Sequence, residues 1–252
     1  MIGKERSAFL MKLFLPKQHG AWAMLIIPFW LSVVASGFIW QHIPLFSGWL
    51  LLYLATFPML QMAKGKNVSF YRKWTFIYLI PAFLFLMIPF VTRPSIAIFG
   101  LLMLPFFIVN LYFSKRKQDR ALWNDFSAII VFAIGGLASG FLANGKINEA
   151  TILVFITSIL FFIGSTFYVK TMIREKKNIV YKWISWIYHG LVPICFLLIG
   201  FSIVAIAYVP SLVRAIYFYG KPYSMKKVGI LEIVNSVLFF IVIIFAISFV
   251  KQ

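Results

Sequence analysis

Five groups of polar residues interrupt an otherwise apolar chain, and each holds side chains able to bind an anion, move a proton or form an ion pair. The first is Pro16-Lys17-Gln18-His19-Gly20-Ala21-Trp22. His19 can donate a hydrogen bond or a proton, and Trp22 suits a membrane–water interface, so the segment reads either as an interfacial turn or as a ligand-facing mouth. The second runs from Asn110 and Tyr112 through Lys115 and Arg116 to Asp119, Arg120, Asn124 and Asp125. Lys115 and Arg116 are placed to meet a phosphate or a lipid headgroup. Asn124 and Asp125 are expected to cap the N-terminus of the following helix, with Asp125 also available as an ion-pair partner on a positive rim.

The third group is Tyr168, Lys170, Thr171, Arg174 and Glu175. Lys170 and Arg174 share a helix face at i, i+4 and read either as snorkelling flank residues or as the edge of a cavity. The fourth is His189 with Ser185, four residues apart and expected to face inward. The fifth is the stripe Glu232, Asn235, Ser236 at i, i+3, i+4. Glu232 is expected to meet Arg214 or Lys227 in an interhelical ion pair, because an ionised group in hydrocarbon is expensive without a partner.

Several chemistries have no footing. The sequence holds no HExxH, no CxxC, no P-loop and no strand-preceded GxGxxG. His19, His42 and His189 lack metal-ligand spacing, Asp119 and Asp125 form a poor divalent site, and the lone Cys195 indicates no disulfide. Neither a metal nor a cofactor is therefore expected.

The elements that must position these groups follow from composition. The chain is 62% hydrophobic and 12% charged, with a mean hydropathy of +0.94, against about 25% charge in soluble domains. A soluble protein of 252 residues could not cover its surface with so few charges, whereas lipid accepts an apolar exterior. The formal charge of +18 reads as positive cytoplasmic loops beside anionic lipid rather than as nucleic-acid binding.

A helix crosses the hydrocarbon with about 20 residues, rising about 1.5 Å each through about 30 Å. That ruler gives apolar segments near 20–39, 44–62, 74–91, 95–112, 124–143, 149–169, 183–199, 202–218 and 229–249. They are too long and too continuously apolar for barrel strands. The expected fold is thus an all-α polytopic membrane bundle of about nine transmembrane helices, one domain over residues 20–250 behind a cytoplasmic tail at 1–19.

Charge counting sets the topology. Of 24 basic residues, 21 fall in the tail, in 62–73, in 115–120, in 170–182 and in 214–227. These regions lie on one side only if the chain breaks near Gly200. That side is expected to be the cytoplasm, giving a multi-pass protein of the bacterial cell (inner) membrane with its N-terminus cytoplasmic and its C-terminus extracytoplasmic.

The segment Leu15-Pro16-Lys17-Gln18-His19-Gly20-Ala21-Trp22-Ala23-Met24, leading to Pro28-Phe29, resembles the opening signature of the YwiC-like bacterial membrane proteins, and Val228-Gly229-Ile230-Leu231-Glu232 resembles their C-terminal signature. The resemblance spans nearly the whole chain and implies no particular activity. More distantly, the layout resembles the UbiA-like intramembrane prenyltransferases, which implies nine helices around a cavity with its working rim on the cytoplasmic side. Tyr112 with Lys115 and Arg116 is similar to a tyrosine–lysine element of that family. Its two aspartate-rich motifs have no counterpart, since the matching stretches are Gln61–Asn67, without a carboxylate, and Tyr168–Asn178, with only Glu175. Magnesium-dependent prenyl transfer is therefore not expected.

Three functions stay open: binding or modifying an isoprenoid, quinone or lipid whose anionic head sits at a basic cytoplasm-facing cavity, transporting a small molecule, or serving as a structural or assembly subunit of a membrane complex. Membrane lipids are the expected partners. The ligand-binding candidates are His19, Trp22, Asn110, Tyr112, Lys115, Arg116, Tyr168, Lys170, Arg174 and His189. Asn124, Asp125, Arg214, Glu232 and Asn235 are the structural polar candidates.

Overall fold

The helices expected from the apolar runs are all present in the computed structural model, which describes residues 19–250, with side chains from Gly20 onward. The tail expected at 1–19 and the His19 side chain lie outside the described residues. Within them the chain forms α1 (His19–Ser36), α2 (His42–Ala63), α3 (Val68–Thr92), α4 (Ala97–Lys115), α5 (Leu122–Asn144), α6 (Glu149–Ile173), α7 (Ile179–Leu198), α8 (Ser202–Tyr217) and α9 (Met225–Val250), with one 3₁₀ turn at Pro94–Ile96 before α4. By length and composition α2, α3, the segment Pro94–Lys115, α5, α6 and α9 can each cross a membrane, while α1 and α8 are shorter apolar helices. The protein is an all-α membrane bundle.

Helix starts differ from the apolar edges by several residues at α3, α7 and α9. The apolar count measures only the part in hydrocarbon, whereas the backbone stays helical until a cap satisfies its free N–H groups. Asn67, Asn148 and Asn178 supply such caps, accepting from the backbone N–H of Phe70, Thr151 and Val180 at 3.2, 2.8 and 3.1 Å. Asn124 and Asp125 do not. The N-cap of α5 is Ala121, with no side-chain cap bond, so both residues sit inside the first turn, where they bond elsewhere. The break at Gly200 is real: α7 ends at Leu198, α8 starts at Ser202, and Gly200 has φ +86°, a left-handed conformation that favours glycine.

Helix α1 is the shared wall of two apolar cores. Leu25, Phe29 and Val33 form one i, i+4 row facing a cluster from α2, α3, α4 and α5 that includes Trp49, Tyr53, Tyr78 and Phe132. Ile27, Leu31 and Ala35 form the opposite row, facing Phe161, Phe196, Tyr208, Phe239 and Ile243 of α6–α9. Helix α5 lies close against three neighbours through small residues. A Cβ added to Gly136 would come 2.8 Å from the Pro28 carbonyl oxygen on α1, one on Gly135 would come 2.8 Å from the Trp49 ring on α2, and Gly140 seats Thr151 of α6. The Ser139 hydroxyl donates across to the Phe29 carbonyl at 2.8 Å. On the periphery, Phe76, Ile80, Phe83 and Leu84 of α3, with Leu101, Leu104 and Ile108 of α4, are exposed, an arrangement that suits lipid contact.

His42 locks α2 to α5 at the end of the bundle away from the basic connections. It is fully buried, and its Nε2 lies 2.9 Å from the Ser139 carbonyl, which can only accept, so Nε2 carries the proton. Nδ1 then accepts from the Ile39 N–H at 3.0 Å. His42→Leu removes the ring's buried bond to the Ser139 carbonyl and its part-buried bond from the Ile39 N–H, and an unmet buried polar group costs about 1–3 kcal/mol. The variant is expected to unfold at a lower temperature in detergent, followed by tryptophan fluorescence. An unchanged midpoint would show that the ring's hydrogen bonds carry no net weight.

Candidate functional site

Two polar regions arise at the end of the bundle that carries the basic connections. One is the rim. Lys64, after α2, pairs with Asp119 at 2.8 Å, joining the α2–α3 and α4–α5 connections. Lys170, near the end of α6, donates to the Arg120 carbonyl at 2.8 Å and lies 3.7 Å from Asp125. Asn124 donates to the Asp119 carbonyl at 2.8 Å, and Asn110 reaches the Asn124 carbonyl at 3.5 Å. Asn110, Asn124, Asp125 and Lys170 are thus brought together around the start of α5. Among the described residues every cation except Arg93 and Lys146 belongs to this end, and several lie over aromatic rings. Arg116 stands 4.5 Å from the exposed Tyr112 ring, Lys182 4.4 Å from Trp186, and Lys227 3.8 Å from Tyr223.

The other region is buried among α6, α7, α8 and α9. Arg214, only 4% exposed, is carried by α8 one turn before its end. Its Nη1 donates to Glu232 of α9, and its guanidinium centre sits 4.1 Å over the Tyr168 ring of α6. Ser165, one turn earlier on α6, is also buried, its hydroxyl without a partner. Asn235 donates to Ser211 at 2.9 Å, tying α9 to α8 again. Met172, Ala215 and Val228 pack with Tyr168 as an apolar surround. His189 on α7 is buried, with Nδ1 2.7 Å from the Ser185 carbonyl one turn back, so Nδ1 bears the proton and Nε2 is left without a partner. The hydroxyl of Tyr168 and the Nε and Nη2 of Arg214 are also buried without partners.

The candidates named from the sequence therefore divide. Tyr168, His189, Arg214, Glu232 and Asn235 line the buried region. Asn110, Tyr112, Lys115, Arg116, Lys170 and Arg174 belong to the rim, with Lys115 and Arg174 exposed. Trp22 belongs to neither: it packs edge-on against Tyr53 in the α1–α2 core, with ring centroids 5.5 Å apart. The expected choice of Glu232 partner resolves to Arg214. Ser165 and Ser211 were not among the candidates, although Ser211 lies one turn before Arg214 and the stripe logic applied to α9 would have found it. Among the described residues no group of three His, Cys, Asp or Glu side chains is placed to hold a metal.

The family described as YwiC-like protein matches residues 15–140. The chain is 45% identical over 229 residues to the uncharacterised protein YwiC of Bacillus subtilis, covering 91% of this chain and 96% of that one. It is 41% identical over 236 residues to an uncharacterised protein of Haemophilus influenzae, covering 94% and 99%. No solved structure matches, so the UbiA-like resemblance rests on the sequence alone. Half the chain under the family match and nearly all of it under both relatives give one conclusion: this protein is a member of the YwiC-like family.

Proposed function

We propose that the chain crosses the bacterial cell membrane nine times, basic end and N-terminus in the cytoplasm and C-terminus outside, and that it binds an amphiphile with an anionic head at the basic rim. The amphiphile is an isoprenoid, a quinone or a lipid. The observation that carries this reading is the pad on α4 where Arg116 lies 4.5 Å over the exposed Tyr112 ring beside exposed Lys115. There the apolar outer surface of α4, with Ile108 and Leu104 exposed, runs directly into fixed positive charge. An anionic head meets the cations while its chain lies along the helix.

Each basic residue near an anionic membrane surface contributes about 1 kcal/mol, so removing two weakens head binding by about tenfold to thirtyfold. Lys115→Ala with Arg116→Ala is therefore expected to lose retention of farnesyl phosphate in phosphatidylcholine nanodiscs by that factor, measured by native mass spectrometry. Equal retention by the wild type and the double variant refutes the rim reading.

A further inference from the structure

We propose that Arg214 is a second, internal ligand site, which takes a group with two adjacent anionic oxygens, a carboxylate or a phosphate. This site stands independently of ligand binding at the rim. A guanidinium is planar and presents donors along two kinds of edge. Glu232 takes Nη1. Nε and Nη2, buried and unpartnered, lie together on the remaining side-on edge, where their two N–H bonds run parallel at a spacing that matches the two oxygens of a carboxylate or phosphate.

Burying two charged donors without acceptors costs more than leaving them in water. Three large polar side chains of the same helices do find acceptors: the Tyr208 and Tyr188 hydroxyls donate to the Thr157 and Leu160 carbonyls at 2.7 and 2.8 Å, and Trp186 donates to Ala215 at 3.1 Å. The surroundings fix the fork in place. Tyr168 covers one face of the guanidinium, and Glu232 holds the far nitrogen, so the free edge is aimed and not free to swing.

Arg214 lies three residues before the end of α8, about one turn beneath the connection to α9. An anion that enters there passes from the basic rim to the fork. Glu232 already balances one unit of charge, and the cations of the 214–227 and 170–182 segments supply the field that makes a second anion favourable. The Tyr168 hydroxyl, also buried without a partner, is a further donor in the same cluster.

The test uses the full-length protein in phosphatidylcholine nanodiscs. Inorganic phosphate is titrated against potassium chloride at equal ionic strength, and phosphatidic acid is built into parallel nanodiscs, with binding read as a rise in unfolding temperature and by native mass spectrometry. The wild type is expected to respond to at least one probe beyond the chloride control. A response to phosphate identifies a free anion as the ligand, and a response to phosphatidic acid alone identifies a lipid head.

Measured in the Lys115→Ala, Arg116→Ala background, which removes the rim pad, Arg214→Lys keeps the charge and loses the fork, so it is expected to bind at least about tenfold more weakly. Lys146→Ala in the same background, at the opposite end of the bundle, responds like its parent. If Arg214→Lys does not fold, Arg214→Met with Glu232→Leu in that background, of similar volume and without charge, is expected to fold and to bind neither probe. No response from the wild type or from that background to either probe, or equal affinity in a folded variant lacking the fork, overturns the site.

Discussion

Arg214→Ala is expected to lower the stability of the protein by about 3–5 kcal/mol, because it leaves the Glu232 carboxylate without its counter-ion inside the bundle. Glu232→Ala is expected to do the same from the other side. Native domains hold only about 5–15 kcal/mol in total, so either single change removes a large share, seen as a fall in the unfolding temperature in detergent. The double change Arg214→Met with Glu232→Leu is expected to recover most of the loss. Removing both charges also removes both desolvation costs, and similar side-chain volume preserves the packing. The sign of that recovery is the informative measurement. A double variant as unstable as the singles would mean that shape, not charge compensation, makes the pair necessary.

The next largest effect is expected at Gly136. A Cβ there would stand 2.8 Å from the Pro28 carbonyl oxygen and 3.0 Å from its carbonyl carbon, and backbone atoms inside a helix cannot turn aside as a side-chain tip can. Gly136→Leu is expected to cost about 3 kcal/mol, the upper part of the range for overpacking, and to reduce the monodisperse fraction on size-exclusion chromatography. Replacing glycine by alanine in a helix gains about 1 kcal/mol of propensity, so the steric term must be isolated. Gly100 provides the control, since a Cβ there would meet nothing within 4 Å, and Gly100→Ala is expected to be neutral or slightly stabilising. Equal behaviour of Gly136→Leu and Gly100→Ala would show that the close α1–α5 approach carries no weight.

How much of the fold and of the two polar regions was legible in the sequence depended on which physical constraint was at work. Helix positions were readable because hydrocarbon thickness fixes the length of an apolar run. The Gly200 break followed from charge, since without it the 170–182 and 214–227 segments would fall at opposite ends. The Arg214–Glu232 pair was readable as one of two options, because an ionised stripe in an apolar helix demands a partner.

Packing faces were not readable. In lipid both the inward and the outward side of a helix are apolar, so Leu25 and Ile27 on α1 carry no hint that they serve different cores. His42 and Ser139 are 97 residues apart, and nothing local announces a bond from a ring to a main-chain carbonyl. Asn124 and Asp125 looked like caps because their types favour that role, but Ala121 takes the N-cap position and both side chains serve the rim.

The distance along the chain between Arg214 and Glu232 has a temporal meaning during synthesis. Glu232 follows Arg214 by 18 residues, and chains emerge at about 5–20 residues per second, so about 1–4 s pass before the carboxylate exists. In that interval α8, of 16 residues, carries an unmatched cation into an apolar surround, which is expensive without a partner. Its first available partner is the Tyr168 ring, already made and placed by α6. Insertion of the last two helices is therefore expected to be a joint event, with α8 held against α6 until α9 delivers the counter-charge.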